Sequence, residues 1–120
     1  MIGTILYIIA SLLFIPMAIL NFFVVLTTYG WSLKNAGGYF KSLAVDIDIM
    51  GNRAFRTLWN NTLVKQNKNY YRFGKIGETI SSALGKNQIR GTLSRVGKCL
   101  AWLLDRIDKN HCRNSINYNI

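Results

Sequence analysis

No charged side chain occurs before Lys34, and acids are scarce throughout: five Asp and Glu stand against 15 Lys and Arg, a net charge of +10 with the histidine neutral. Cysteine, histidine and proline are nearly missing as well, with two, one and one copies. Each shortage excludes something. Cys99, His111 and Cys112 are the only soft ligands and lack the paired spacing of a structural zinc site. Two thiols on a reducing side stay reduced, so no disulfide is expected. Adjacent His111 and Cys112 do not form a nucleophile pair with an orienting group. The five carboxylates have ordinary uses: Asp46 and Asp48 point to different helix faces, Asp105 and Asp108 lie near Arg106 and Lys109, and Glu78 suits a helix start. Gly74 and Gly77 flank a lysine without the Ser or Thr ending of a phosphate loop. The sequence therefore predicts no enzyme, no catalytic residue, no cofactor and no metal.

The uncharged stretch is also where the apolar residues concentrate. From Ile2 to Tyr29 they occupy every face of a helix, represented by Leu6, Ile9, Leu13, Pro16, Leu20 and Phe23. About 20 such residues cross a hydrocarbon layer, so this segment is predicted to be a membrane-spanning anchor, kinked at Pro16. A cleaved signal peptide fits poorly, because no Lys or Arg precedes the run and no small-residue cleavage site follows it. Lys34, Lys41, Arg53 and Arg56 come soon after the span. Basic flanks stay inside, which puts the N-terminus out and the basic C-terminal region on the inner side of a host inner membrane or a virion internal membrane.

The expected fold is all-α: a single N-terminal transmembrane helix (1–31), a hinge (32–38) around Gly37-Gly38, a basic helical domain (39–113) and a polar tail (114–120). Within the domain, Phe40, Leu43, Ile47, Met50, Ala54 and Leu58 give an amphipathic helix from Tyr39 to about Val64. Gly77–Lys86 reads as one short helix closed by Gly85. A second amphipathic helix starts at Thr92 as N-cap, with Leu93, Val96, Gly97, Leu100, Leu103, Leu104 and Ile107 as a stripe that would bury most simply against the Tyr39–Val64 helix.

Between these helices, Lys65, Lys68, Arg72 and Lys75 interleave with Tyr70, Tyr71 and Phe73, and no acid intervenes. Three uses stay open at this point. The segment is a solvated loop whose rings cover the core, a lipid contact with cations on anionic headgroups, or a nucleic-acid contact with rings stacked on bases.

Asp48–Asn52, Gly74–Lys86 and Ile107–Arg113 resemble, in order, the recurring blocks of a group of small phage and prophage proteins. Those proteins carry Asp-x-x-x-Asn, then Asp-Glu-Thr-Ile-Ser-Ser-Arg-x-Gly-Lys, then Asp-x-Asn-His-Cys. Gly77 and Ala83 replace the first Asp and the Arg of the central block. The resemblance implies a viral origin and lends no activity. It also implies one polar contact of Glu78, Thr79, Ser81, Ser82, His111 and Cys112 that locks the short helix to the end of the last one. The expected role is a phage-encoded single-pass structural component of a membrane-containing virion, linking the bilayer to shell or genome. Its partners would be the lipid bilayer, other viral membrane or capsid proteins including its own copies, and non-specific nucleic acid. The alternatives are a host inner-membrane accessory factor acting in exclusion or takeover, and a membrane-tethered nucleic-acid-binding module.

Overall fold

A computed structural model describes the whole chain, residues 1–120, as all-α with six helices: α1 Ile2–Thr28, α2 Leu33–Ala54, α3 Arg56–Thr62, α4 Ile80–Arg90, α5 Arg95–Ile107 and α6 His111–Asn114. Two compact units result, Met1–Ser42 and Leu43–Ile120.

In the first unit, 27 residues of α1 extend about 40 Å at the helical rise. That is long enough and apolar enough to cross a bilayer. Leu6, Ile9, Leu13, Leu20 and Phe23 are all exposed, and only Val25 and Leu26 are buried. Pro16 lies inside the helix and withholds one backbone donor. The chain turns at Gly30 and Trp31, both with positive φ. Ser32 then starts α2, its hydroxyl accepting from the Asn35 N–H at 3.2 Å. The predicted hinge at 32–38 is therefore displaced: Gly37 and Gly38 are helical, and the break lies at residues 29–32. Packing overrides glycine propensity here, because Ala36 buries fully beside Val25 and Leu26 and the rings of Phe22 and Phe40 stack at 5.0 Å.

The second unit departs from its expected helices in several places. The Tyr39–Val64 helix is broken at Phe55, whose φ of −106° and ψ of 24° leave helical geometry. The Trp59 indole N–H bridges the break by donating to the Gly51 carbonyl at 3.1 Å. α4 starts later than predicted, with Thr79 as its cap, and ends at left-handed Gly91. Gly85 is no terminator but a mid-helix contact, where a Cβ would overlap the Cys112 carbonyl of α6 and the Ile116 side chain. Ser94 caps α5 in place of Thr92, which instead donates to Asn87 Oδ1 at 2.6 Å. The α5 stripe packs on α4 and α6 and, as expected, on the end of the Tyr39–Val64 region: Leu93 bridges Val64, a Cβ on Gly97 would overlap the Leu63 carbonyl, and Ala101 shares their core, while Val96, Leu103 and Ile107 stay exposed. The polar tail, 114–120, is fixed by its contacts. Ile116 is buried, and the Asn117 N–H donates to Ser82 Oγ at 2.9 Å.

Candidate anion-binding pocket and its polar supports

The segment Tyr70–Lys75 is irregular, so its buried backbone groups need partners from elsewhere. Three buried asparagines supply them. Asn87 accepts from the Tyr71 N–H and donates to the Tyr71 carbonyl, both at 2.9 Å. Asn60 treats Phe73 the same way, at 2.7 and 3.0 Å. Asn52 accepts from the Gly74 N–H at 3.1 Å and donates to the Glu78 carbonyl at 2.9 Å. A carboxamide offers one acceptor and two donors, and so stands in for the neighbouring strand of a sheet. Tyr71 and Phe73 are thereby turned inward and Arg72 and Lys75 outward.

This held segment forms one wall of a cavity of about 730 Å³, with Arg53 of α2 and Arg56, Thr57 and Asn61 of α3 opposite. Arg53, Arg56, Arg72 and Lys75 line it, and no Asp or Glu does. Two of the cations are positioned by backbone: Arg53 Nη1 donates to the Gly74 carbonyl at 3.0 Å and Arg56 Nη1 to the Arg53 carbonyl at 2.7 Å. Gly74, at φ 106°, packs so closely on the Arg56 stem that a Cβ there would collide with it. Lys75 Nζ stands 4.4 Å from the centre of the Tyr71 ring.

Of the predicted basic contact residues, Tyr70, Arg72, Phe73 and Lys75 reach the cavity wall, whereas Lys65 and Lys68 do not. Tyr71 and Phe73 are not contact residues: their rings are 8% and 3% exposed, cannot stack on bases, and match the first of the three uses, in which the rings cover the core. Arg53 and Arg56 were expected only as flanks of the span. Their spacing of three residues was the available signal for a shared face.

The predicted polar contact of Glu78, Thr79, Ser81, Ser82, His111 and Cys112 is divided. Fully buried Glu78 accepts from Tyr71 Oη at 3.0 Å, Ser82 Oγ at 2.8 Å and Lys86 Nζ at 2.6 Å. Burial opposes the Lys86 charge, but Glu78 and Tyr71 outweigh it and raise its pKa above 10.5. Thr79 serves the helix cap. Ser81 belongs to a second group: its Oγ donates to Asp48 Oδ2 at 3.0 Å and lies 3.1 Å from His111 Nε2, while His111 Nδ1 lies 3.0 Å from Asp108 Oδ2. Cys112 is core, its thiol pushed up to about 12 by burial and then by Asp105 and Asp48. Asp105 accepts from the Cys112 N–H at 2.9 Å, and that bond with the Gln88 amide overcomes desolvation to lower its pKa.

The order Ser81, His111, Asp108 follows that of a hydrolase triad, but the surroundings oppose that chemistry. Ser81 is 3% exposed, the Asp108 side chain is 71% exposed, and the Asp48 carboxylate already holds the serine proton. A carboxylate there would repel a developing oxyanion. The group instead ties α2, α4 and α6 together. An apolar groove of about 450 Å³, with Ile47, Phe55, Trp59 and Leu100 in its walls, runs past Ser81.

Fold and site together define an all-helical protein with one bilayer-length apolar helix and a separate, strongly basic unit. No protein-family model matches the chain, and no curated protein or solved structure matches it either.

Proposed function

We propose that this is a single-pass membrane protein that works by binding, its basic domain held on the inner side of a bilayer to join that bilayer to an anionic partner. The observation that carries the proposal is the exposure of α1 over nearly its whole length: an apolar cylinder with two buried residues is costly in water and stable in hydrocarbon. The charge distribution supports the orientation, since every Lys and Arg follows the helix. In the phage setting that the sequence blocks imply, such a protein is a structural link between a virion's internal membrane and its shell or genome. A host-membrane accessory factor is the second role. Stoichiometric presence in purified particles selects the first and absence from them the second.

Exposed Cys99 and buried Cys112 provide the test of insertion and topology. A membrane-impermeant maleimide labels Cys99 only after cells are opened, and the uncleaved chain stays with membranes through an alkaline wash. Recovery of the intact chain in the aqueous phase, or labelling of Cys99 in closed cells, overturns the proposal.

A further inference from the structure

We infer that the cavity between Arg53, Arg56, Arg72 and Lys75 is a binding site for a multiply charged phosphate group, a phosphate monoester or a diphosphate. Four cationic residues line one concave space with no acid among them, so nothing in the lining offsets their mutual repulsion. Guanidinium groups suit the ligand in particular, because their planar donors meet two phosphate oxygens at once. Neutral donors stand beside them: Thr57 and Asn61 of α3 and the hydroxyl of Tyr70. The wall is also set before binding. The Asn60 and Asn52 carboxamides fix Phe73 and Gly74, and the Gly74 carbonyl in turn holds Arg53. A site whose donors are held in place loses little freedom when its ligand arrives. The volume of about 730 Å³ admits a ligand larger than a single phosphate.

The inference builds on the proposal of a membrane-tethered binding domain and names what the domain binds. The phosphate arrives either on a lipid headgroup or free in solution. Both sources are tested with the full chain. In neutral detergent it is titrated with inorganic pyrophosphate by calorimetry. In nanodiscs of phosphatidylcholine, with or without phosphatidic acid, the backbone amides of residues 70–76 are followed by NMR. Pyrophosphate is expected to bind, and each of Arg72→Gln and Lys75→Gln to weaken it roughly tenfold or more. The charge-matched pair Lys98→Gln and Lys109→Gln, outside the cavity, leaves binding unchanged. Shifts at residues 70–76 that require phosphatidic acid and are reversed by pyrophosphate identify the lipid source; pyrophosphate binding without those shifts identifies the free one. No pyrophosphate binding by the folded wild type, or equal loss in the pocket and control variants, overturns the inference. Membrane retention is read separately by the alkaline wash, so failure of the pocket leaves the tether intact.

Discussion

Asn60→Ala is the substitution that most directly probes how the pocket wall is held. Asn60 is 6% exposed, and it satisfies both backbone groups of Phe73, accepting at 2.7 Å and donating at 3.0 Å. Alanine leaves that N–H and that carbonyl without partners in a buried place. Each such group costs about 1–3 kcal/mol, so the pair costs about 2–6 kcal/mol. The unit Leu43–Ile120 has 78 residues by its bounds, and a domain of that size is stable by roughly 4–12 kcal/mol. The loss is a large share of the total. It corresponds to a melting temperature lower by roughly 10–50 °C for a unit of this length. Thermal melting should be followed by near-ultraviolet circular dichroism, which reports packed rings and is insensitive to the backbone of α1. Hydrogen exchange at the Phe73 amide gives the local readout, slow in wild type and fast in the variant at temperatures where both are folded. Asn60→Asp separates the two bonds, because it keeps the acceptor and removes the donor. A variant that melts within a few degrees of wild type with an unchanged Phe73 amide would refute the surrogate-strand account.

Glu78→Gln strands the Lys86 ammonium and should destabilise the unit by about 3–5 kcal/mol. Because folding raises the Lys86 pKa, that lysine's contribution is complete below 10.5 and lost as pH rises through its folded value; alkaline melting curves should show this decline in wild type and flatten in the variant. Gly85→Ala should undock α6 and the C-terminal residues, seen as faster exchange across residues 111–120, since its Cβ has no space beside Cys112 and Ile116. Gly38→Ala, where a Cβ meets nothing within 4 Å, should instead stabilise its helix by about 1 kcal/mol, measurable as slower exchange along α2.

The helical class and the candidate span were legible because both rest on local composition: an uncharged apolar run and a period of three to four residues need no knowledge of distant partners. The helix boundaries were less so. Gly37 and Gly38 read as a hinge, yet Ala36 and Phe40 on either side find apolar partners on α1 and carry the helix through. Gly85 read as a stop for the same local reason, and its real use, close approach of α6, depends on residues near the other end of the chain. Most of the site was illegible for a different cause. Asn52, Asn60 and Asn87 carry no periodic signal, and a buried asparagine cannot be told from a surface one until its partners are placed. The interleaved basic and aromatic residues did point to Arg72 and Lys75. Their alternation with Tyr71 and Phe73 fits the reading in which the rings cover the core, an extended segment with one face inward.

The scarcity of acids acquires a sharper meaning once their partners are known. Four of the five carboxylates have partners, three within the fold, Asp48 with Ile80 and Ser81, Glu78 with Tyr71, Ser82 and Lys86, and Asp105 with Gln88 and Cys112, and one at its surface, Asp108 with His111. Only one Lys or Arg, Lys86, is ion-paired. Of 15 Lys and Arg, 14 are therefore left without an acid partner. Carboxylates that accept from backbone N–H groups and hydroxyls organise the domain without neutralising its outward cations. The fold thus keeps its acids from cancelling the field that an anionic surface or ligand would meet. Where four of those cationic residues line one pocket, the wall beside them is held by neutral asparagines, which add structure at no cost in charge.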